Sequence, residues 1–483
     1  MIAGASVKGA NFIGGEWRAS VAGQTYEKRN PFRPTELIGE YPASDGHDVD
    51  AAIGAAAAAF GSWSRLSGQQ RGAILFAAAE LISGRVDEVA HDMTREMGKP
   101  LRESRGEVSR GADILRFFAG EGWRAQGEIF AQSATGNQIQ VLHRPLGVVG
   151  LICPWNFPFS IPLWKTAPAL IHGNCVVLKV AQDAPATGLH LAACLEEAGI
   201  PPGVFNVVIG RGADTGTPLI TNPSIRAISF TGSVPVGHHV RDEATPLGKR
   251  VQLELGGHSP LIVLGDADLG RASEAAYAGA FWSAGQKCTA TRRIYVQTEA
   301  YDGFKKLLLE RIERGVVGDP GDPATEVGPL VNEKQMDEVL AAVTRGRSEG
   351  ATLLLGGERI GDDGYLVSPA LFEDVDDDAF LSCEEVFGPV TSLYRVSDLD
   401  DAIRRSNSSR FGLSASIFTN DISAVRRFVT ELEAGVLRIN AATAGGEPHV
   451  PFGGSKDSGH GPREQGRAAF DFYTETVTVY QNP

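Results

Sequence analysis

The sequence predicts an α/β protein in which parallel sheets are covered by helices. Of its 483 residues, 42% are hydrophobic and 22% are charged, a composition typical of a globular chain and not of a disordered one. From about residue 145 onward, short runs rich in β-branched residues alternate with longer segments that fit helices. Since parallel strands are joined by crossovers that are usually helical, this alternation predicts a parallel sheet with helices on both faces.

Helices are predicted to come first along the chain. Residues 48–123 carry apolar side chains at helical spacing, and acidic residues at the start of this run can cap a helix. Short buried strands are then predicted at LGVVGLIC (146–153), NCVVLKV (174–180), FNVVIG (205–210), IRAISF (225–230) and RVQLEL (250–255). A second alternation runs from residue 259 to about residue 440 and predicts a second α/β domain.

Two segments stand outside this alternation. Residues 128–147 are typical of a β-hairpin with Gly136 and Asn137 at its turn, and residues 470–480 alternate like a strand. Such segments either pair with another subunit or form a local sheet edge, and the pattern alone favours neither.

Charge and cysteine content exclude several classes of function. The net charge of −14 argues against nucleic acid or an anionic membrane as the main partner. No run approaches the roughly 18 to 20 apolar residues of a membrane span, and the first residues lack the pattern of a secretory signal. The five cysteines form no CxxC pair, so we expect no disulfide framework, no metal site and a location in the reducing cytoplasm.

One cysteine lies in a segment with reactive character. Cys288 occurs in AGQKCTATRR, where Lys287 precedes it and glycine and threonine surround it. A neighbouring cation can lower the pKa of a thiol, and the thiolate is the nucleophilic form. The other cysteines are interpreted as small buried hydrophobic residues; they are Cys153, Cys175, Cys194 and Cys383.

Three further motifs hold residues suited to catalysis or to phosphate binding. Glu254 ends an apolar strand, where it is either a desolvated general base or a solvated strand-end charge. Asn156, in CPWNFP, is either an oxyanion donor on a fixed backbone or an ordinary turn residue. FTGSVPVG (230–237) opens a helix after a strand, so its N–H groups can face a phosphate, although the segment lacks GxGxxG.

Taken together, these motifs resemble one enzyme family. AGQKC, LELGG, PWNFP, FTGS, EEVFGP and PFGG occur in the order and approximate spacing of the NAD(P)-dependent aldehyde dehydrogenase superfamily, from FIGGEW (12–17) to the last strand. The resemblance implies a homodimer or homotetramer. It also implies a Rossmann-type dinucleotide-binding domain (1–123 and 145–256), an α/β catalytic domain (257–457) and a small β oligomerisation arm (124–144 and 468–483).

The resemblance implies roles for individual residues. Cys288 is similar to the catalytic nucleophile, Glu254 to the base that activates water, and Asn156 to the side chain of the oxyanion hole. Lys165 and Glu464 are similar to a pair that relays protons. The residues similar to cofactor contacts are Ile152, Trp155, Lys179, Gln182, Gly212, Gly232, Ser233, Glu385 and Phe387.

The implied reaction is oxidation of an aldehyde to the carboxylic acid. The Cys288 thiolate adds to the carbonyl carbon, the thiohemiacetal gives hydride to the nicotinamide, and Glu254 activates the water that hydrolyses the thioester. A glutamate at this position favours hydrolysis over transfer to coenzyme A, because the acylating branch of the superfamily typically lacks it. The competing functions are a cofactor-independent thiol hydrolase and a catalytically silent relative.

The resemblance leaves the aldehyde open between two classes. The chain resembles α-ketoglutarate semialdehyde dehydrogenases in GQKCTAT, in the stretch TAGGEPHVPFGG and in the extra residue Pro462. Trp282, however, stands at a position where that group resembles a basic site that binds a carboxylate. A mostly aromatic tunnel, with a cation from an arginine or a histidine, would instead suit an apolar or aromatic aldehyde. The residues expected to line it are Phe118, Phe157, Ile161, Trp164, Trp282, Arg292 and His449.

Cofactor choice depends on the residue three positions after Lys179. NAD-specific members of the family typically have a glutamate there, whose carboxylate binds the adenosine ribose and repels the 2′-phosphate of NADP. This chain has Gln182, a neutral amide. We therefore expect NADP to be accepted at least comparably to NAD.

Overall fold

The computed structural model describes residues 7–124, 127–131 and 138–481, and it confirms the α/β fold class. The first part of the chain forms five strands that the sequence pattern does not reveal, because they are short and alternate poorly. They are β1 (Val7–Lys8), β2 (Asn11–Ile13), β3 (Glu16–Arg18), β4 (Thr25–Arg29) and β5 (Leu37–Pro42).

Four helices then follow, as the apolar spacing predicts. Asp45 and Asp48 form a capping box at the start of the first helix, and Ser67 and Gln70 do the same for the second, so the polar residues fix where each begins. The helices are α1 (Gly46–Trp63), α2 (Gly68–Gly84), α3 (Val86–Met97) and α4 (Leu101–Glu121).

The next two strands leave this helical layer as an antiparallel pair. They are β6 (Gly127–Ala131) and β7 (Gln138–Pro145). The turn predicted at Gly136 and Asn137 lies outside the described residues.

The predicted alternation of strands and helices follows, and each strand begins and ends within two residues of its apolar run. The strands are β8 (Val148–Ile152), β9 (Cys175–Val180), β10 (Phe205–Ile209), β11 (Ile225–Thr231) and β12 (Arg250–Glu254). Between them lie α5 (Ser160–Ile171), α6 (Pro185–Glu197), α7 (Thr217–Thr221) and α8 (Val234–Ala244), with a π-turn at Gly212–Gly216 and a 3₁₀ turn at Thr245–Leu247.

The second alternation continues to the end of the chain. Its first half contains β13 (Ser259–Val263), α9 (Leu269–Phe281), a 3₁₀ turn at Trp282–Gly285, β14 (Thr291–Gln297), α10 (Thr298–Glu313), α11 (Glu333–Ser348), β15 (Thr352–Leu355) and β16 (Ala370–Glu373). Its second half contains α12 (Phe380–Cys383), β17 (Val390–Val396), α13 (Leu399–Asn407), β18 (Phe411–Gly412), β19 (Ser414–Phe418), α14 (Ile422–Glu431) and β20 (Val436–Ile439). The last elements are β21 (Ser455–Lys456), β22 (Gly459–His460), α15 (Gly466–Tyr473) and β23 (Thr474–Gln481).

Two large sheets organise these elements. The first has the order β22-β12-β11-β8-β9-β10-β2-β3, with parallel pairing from β12 to β10 and antiparallel strands at both edges. The chain leaves β8 toward β9 and β10, then returns to β11 and β12 on the other side. Sheets of this kind bind ligands where the two directions diverge, in the crevice at the carboxyl ends of the strands.

The second sheet has the order β15-β16-β17-β14-β13-β19-β20, and only β15 is antiparallel to its neighbour. Each large sheet has its own hydrophobic core, so the chain contains two centres of packing. The carboxyl end of β12 leads through Gly256 and Gly257 into β13. This short crossover brings the two sheets together at one cleft.

The tail pairs with the hairpin strands of the same chain. β23 is antiparallel to β7 from Thr474 opposite Pro145 to Gln481 opposite Gln138, which gives a three-stranded sheet β23-β7-β6. The strand predicted from residue 470 is wrong over residues 470–473. These residues end α15, because Phe472 and Tyr473 bury their side chains in the first core. Within the described residues, no helix is long and apolar enough to cross a membrane.

Candidate active site

The described residues of the two domains form one large cleft, with a volume of about 990 Å³. Asn156 from the first domain and Cys288 from the second both line it. Eight of the nine predicted cofactor residues also line it: Ile152, Trp155, Lys179, Gly212, Gly232, Ser233, Glu385 and Phe387. The structure therefore brings most of the predicted cofactor set together around a single space.

One wall of the cleft is suited to phosphate groups. Gly232 and Ser233 follow β11 and precede α8, and the Ser233 side chain does not cap the helix. The N–H groups of the first helical turn thus lack intrahelical partners at a helix end that favours anions. A Cβ on Gly232 would lie 2.5 Å from the Phe230 ring, so a larger residue would disturb this approach.

A partly buried carboxylate, that of Glu385, also lines the cleft. Glu385 accepts a hydrogen bond from the Gly257 N–H at 3.0 Å, and burial raises the pKa of its carboxyl to about 7. A Cβ on Gly256 would come within 2.2 Å of Glu385 Oε2, so that position must be glycine. The Phe387 ring meets the Trp155 ring edge-on at 5.5 Å, which fixes both aromatic faces beside the cleft.

The ninth predicted cofactor residue lies apart from the others. Gln182 is exposed and does not line the cleft, and its carbonyl accepts a hydrogen bond from the Tyr26 hydroxyl. The carboxylate of Asp183 is held by Lys28 at 3.8 Å and by Asn332 at 3.1 Å. Burial lowers the pKa of Lys179 to about 8, and the charge of Asp183 opposes this shift. Sequence reasoning missed Asp183, because its partners are distant along the chain.

The Cys288 thiol is strongly disfavoured as a thiolate in the unliganded cleft. Burial raises its pKa to about 12, and the carboxylates of Glu385 and Glu254 add to the shift. The lowering expected from the Lys287 cation is therefore outweighed, although the charges of Lys287 and Cys288 do interact. The Lys287 ammonium also donates to the Ala278 carbonyl at 2.8 Å.

The segment before Cys288 has an unusual backbone. Ser283 and Ala284 have φ values of 56° and 52°, and Gly285 follows with φ 67°. The left-handed region costs a residue with a Cβ about 1–2 kcal/mol, so contacts elsewhere must hold this turn. The amide Nδ2 of Asn156 donates to the Gln286 carbonyl at 3.1 Å, which places it directly beside the turn.

Glu254 lies in a buried charged network. Its carboxyl is packed against Gly453, where a Cβ would come within 2.2 Å of Oε1. Burial and the negative charge of Glu464 raise its pKa well above the usual range. The Lys165 ammonium donates to Glu464 Oε1 and, at 2.8 Å, to Ser229 Oγ. Lys165 and Glu464 are both almost completely buried, so the pair can hold a proton away from water.

The seven residues predicted to contact the substrate differ in how exposed their side chains are. Phe157, Trp164 and Trp282 are partly buried, and His449 is exposed beside the ring of Phe117. None of the seven lines the cleft described above.

Three of these substrate predictions need correction. Phe118 points into the first hydrophobic core, so its neighbour Phe117 is the residue beside His449. Arg292 is also unsuited to a substrate anion, because its guanidinium donates to the carbonyls of Gly285, Gly388 and Val390. Ile161 belongs to the first core as well.

The sequence matches the aldehyde dehydrogenase family over residues 17–479. The chain belongs to the aldehyde dehydrogenase family. It is 43% identical over 477 residues to the α-ketoglutaric semialdehyde dehydrogenase of Bacillus subtilis, covering 98% of each chain. It is similar to the crystal structure of an NAD-dependent aldehyde dehydrogenase from Sinorhizobium meliloti, with TM-score 0.97, 37% identity and coverage of 99% and 95%. It is also similar to an NADP-dependent enzyme of E. coli, with TM-score 0.96, 36% identity and coverage of 99% and 98%.

This aldehyde dehydrogenase therefore oxidises an aldehyde with a nicotinamide cofactor. The cleft fits that cofactor on structural grounds. Gly232 leaves the first turn of α8 open toward an anion, and Gly256 leaves room for the Glu385 carboxylate. Cys288 lies in the same cleft, so the reacting sulfur and the cofactor would share one space.

Proposed function

We propose that this aldehyde dehydrogenase oxidises α-ketoglutarate semialdehyde to the dicarboxylic acid and releases the product by hydrolysis. The observation that carries the reaction is the placement of the Cys288 thiol and the Asn156 amide in one cleft, with the buried Glu254 carboxylate close enough to raise the thiol pKa. The Bacillus subtilis relative and the motif around Pro462 support the substrate.

The first half of the reaction forms a bond to Cys288. The bound nicotinamide would supply a hydride acceptor. The Cys288 sulfur, once deprotonated, adds to the aldehyde carbon, and the carbonyl electrons move to oxygen. Asn156 Nδ2 and the backbone N–H of Cys288 stabilise that oxyanion. Losing one such donor costs on the order of 10²–10³ in rate. Loss of hydride from the same carbon restores the carbonyl and leaves a thioester on Cys288.

The second half is hydrolysis of this thioester. A carboxyl with a raised pKa is a stronger base once it is ionised, so Glu254 can take a proton from water as the oxygen attacks the thioester carbon. The carbon–sulfur bond then breaks, and the acid leaves while the thiolate is restored. Lys165 and Glu464 hold a further proton beside Glu254. The pair is therefore suited to moving that proton away from the base.

A cation near Trp282 supports a substrate with a carboxylate. The guanidinium carbon of Arg102, on α4, lies 5.0 Å from the centroid of the Trp282 ring. Trp282 occupies the position where the resemblance to α-ketoglutarate semialdehyde dehydrogenases implies a basic site that binds a carboxylate. Arg102, on helix α4, thus places a positive charge beside Trp282.

A second substrate class is favoured by the aromatic side chains themselves. Phe157, Trp164 and Trp282 are partly buried apolar surfaces, as an aromatic or aliphatic aldehyde would require. A panel of aldehydes measured as kcat/KM separates the two classes. Arg102→Ala should raise KM for α-ketoglutarate semialdehyde about fivefold, because an exposed charge contact is worth about 1 kcal/mol at most, and leave KM for benzaldehyde unchanged.

The matched control for Arg102 is Arg105→Ala. Arg105 is exposed on the same helix and pairs with Asp87 at 2.6 Å, away from Trp282. Equal KM values for the semialdehyde in wild type and in Arg102→Ala would contradict the carboxylate contact. Growth of absorbance at 340 nm with aldehyde and cofactor separates dehydrogenase activity from thiol hydrolysis and from a silent relative.

For the cofactor we propose that both NADP and NAD are used. Gln182 removes the negative charge that NAD-specific members carry at this position, and Lys179 lines the cleft as a cation. Asp183 is the nearest carboxylate along the chain, but Lys28 and Asn332 already hold it.

For the assembly we propose a homodimer or a tetramer of two dimers, in the cytoplasm. The sheet β23-β7-β6 exposes apolar side chains, with Ile129 at 70% and Tyr480 at 67% exposure. β20 ends the second sheet with no partner strand on its outer side among the described residues. Exposed apolar surface and an open edge of this kind are usually covered by another chain.

A further inference from the structure

The start of helix α4 contacts both segments that carry the reacting groups. Glu103 and Glu107 are four residues apart, so they lie on one face of the helix. Glu103 contacts the turn before Cys288, and Glu107 contacts the loop that follows Asn156. These two segments come from different domains.

Glu103 holds the left-handed turn. Its Oε1 accepts a hydrogen bond from the Ser283 N–H at 3.0 Å, and its Oε2 accepts one from the Ser283 hydroxyl at 2.5 Å. Ser283 is buried and lies in a backbone region that residues with a Cβ avoid. Two charge-assisted hydrogen bonds to one residue are a specific means of keeping it there.

Glu107 holds the loop of the oxyanion amide. Its Oε1 accepts hydrogen bonds from the N–H groups of Phe159 and Ser160, both at 3.0 Å, at the start of α5. The buried Lys99 ammonium donates to Glu107 Oε2 and, at 2.8 Å, to the Asn156 carbonyl. The main chain of Asn156 is thereby tied to α4.

The contacts close into a ring. The Asn156 amide donates to the Gln286 carbonyl at 3.1 Å, and the Gln286 N–H donates to the Ser283 carbonyl at 3.0 Å. From Ser283 the ring returns through Glu103 to α4. The distance between the oxyanion donor and the nucleophile thus depends on one rigid helix.

We propose that Glu103 and Glu107, with Lys99, are positioning residues for the reaction. Glu103 sets where Cys288 lies, and Glu107 sets where Asn156 lies. Neither carboxylate lines the cleft that contains Cys288 and Asn156. The inference rests on the proposed Cys288 reaction and adds the element that fixes its geometry.

The test uses Glu103→Ala and Glu103→Gln in the full-length protein. Alanine removes both hydrogen bonds, whereas glutamine still accepts from the Ser283 N–H and can donate to its hydroxyl. Displacing a reacting group by about 1 Å can cost 10²-fold in rate. Turnover per titrated Cys288 thiol should therefore fall about 10²-fold in Glu103→Ala, while Glu103→Gln stays within about fivefold of wild type.

Three further measurements separate positioning from folding. The dissociation constant of NADP⁺ should be unchanged, since Glu103 does not line the cleft. Asp113→Ala is the matched control, because Asp113 is an exposed carboxylate on α4 paired with Arg116. If Glu103→Ala unfolds, the double variant Lys99→Met with Glu107→Gln tests the same ring from its other end, and the same drop per thiol is expected.

Turnover per thiol in Glu103→Ala within threefold of wild type would overturn the positioning role. An equal loss of turnover in the alanine and glutamine variants would overturn it too, because glutamine keeps the hydrogen bonds to Ser283 and alanine does not. Failure of the wild type to oxidise any aldehyde with NAD⁺ or NADP⁺ is a different result. It would refute the proposed function.

Discussion

The partly buried acid Glu385 predicts that cofactor affinity depends on pH. Its carboxylate resembles the group that accepts hydrogen bonds from the nicotinamide ribose, and burial raises its pKa to about 7. The nearby guanidinium of Arg292 opposes that shift without cancelling it. Only the ionised carboxyl is a full acceptor, so binding should strengthen as pH rises through 7 and level off above it.

The size of the effect follows from the ionised fraction. With a pKa of about 7, roughly a tenth of Glu385 is ionised at pH 6 and about three quarters at pH 7.5. Apparent affinity scales with the competent fraction, so NAD⁺ should bind about eightfold more tightly at pH 7.5. NAD⁺ is the better probe, because it lacks the titrating 2′-phosphate of NADP⁺. Lys179, with a pKa of about 8, stays mostly charged over this range.

The assay is a fluorescence or calorimetric titration of NAD⁺ at pH 6.0 and 7.5, in wild type and in Glu385→Gln. The glutamine has nothing to ionise, so its dissociation constant should change by less than twofold. His239 also lines the cleft, and the glutamine variant shows how much it contributes. The same pH dependence in both proteins would refute this assignment to Glu385.

Four other predictions follow from the site and the arm. Cys288→Ala should abolish aldehyde oxidation and leave the dissociation constant of NADP⁺ unchanged; near-normal turnover would contradict the mechanism. Glu254→Gln should give a burst of about one NADPH per site followed by slow turnover, because water activation is lost; equal loss of both phases would mean that Glu254 also activates Cys288. Gln182→Glu should shift kcat/KM toward NAD, whereas a hundredfold preference for NAD already in wild type would disprove the role of Gln182. Deleting residues 471–483 removes β23 and should dissociate or aggregate the oligomer, as light scattering would show; an unchanged oligomer would count against the arm.

Much of the fold could be predicted because central parallel strands are buried on both faces. The runs that became β8 to β12 are rich in apolar residues, and nearly all of their residues are buried. The strands β2 and β3, at one end of the first sheet, are different, since they are three residues long and pair antiparallel. At residues 470–473 the pattern F-D-F-Y fits either a strand or one buried face of a helix, and packing decided for the helix.

The site was less predictable, because the order of residues in the sequence does not fix the direction in which their side chains point. Lys287 follows Gln286 and precedes Cys288, yet its ammonium donates to the carbonyl of Ala278, nine residues earlier. Phe117 and Phe118 are neighbours on α4, and the helical period sends one to the core and the other toward His449. The contact of Glu103 with Ser283 spans 180 positions, and no spacing in the sequence marks it.

The crossover between the two domains is itself a wall of the active site. Gly256 lies against Glu385, and on Gly257 a Cβ would come within 2.3 Å of the Cys288 carbonyl. Linkers between domains usually accept insertions and sequence drift. This one cannot, because any added atom would meet either the cofactor acid or the nucleophile's own backbone. A library that varies these two positions should therefore return glycine at both.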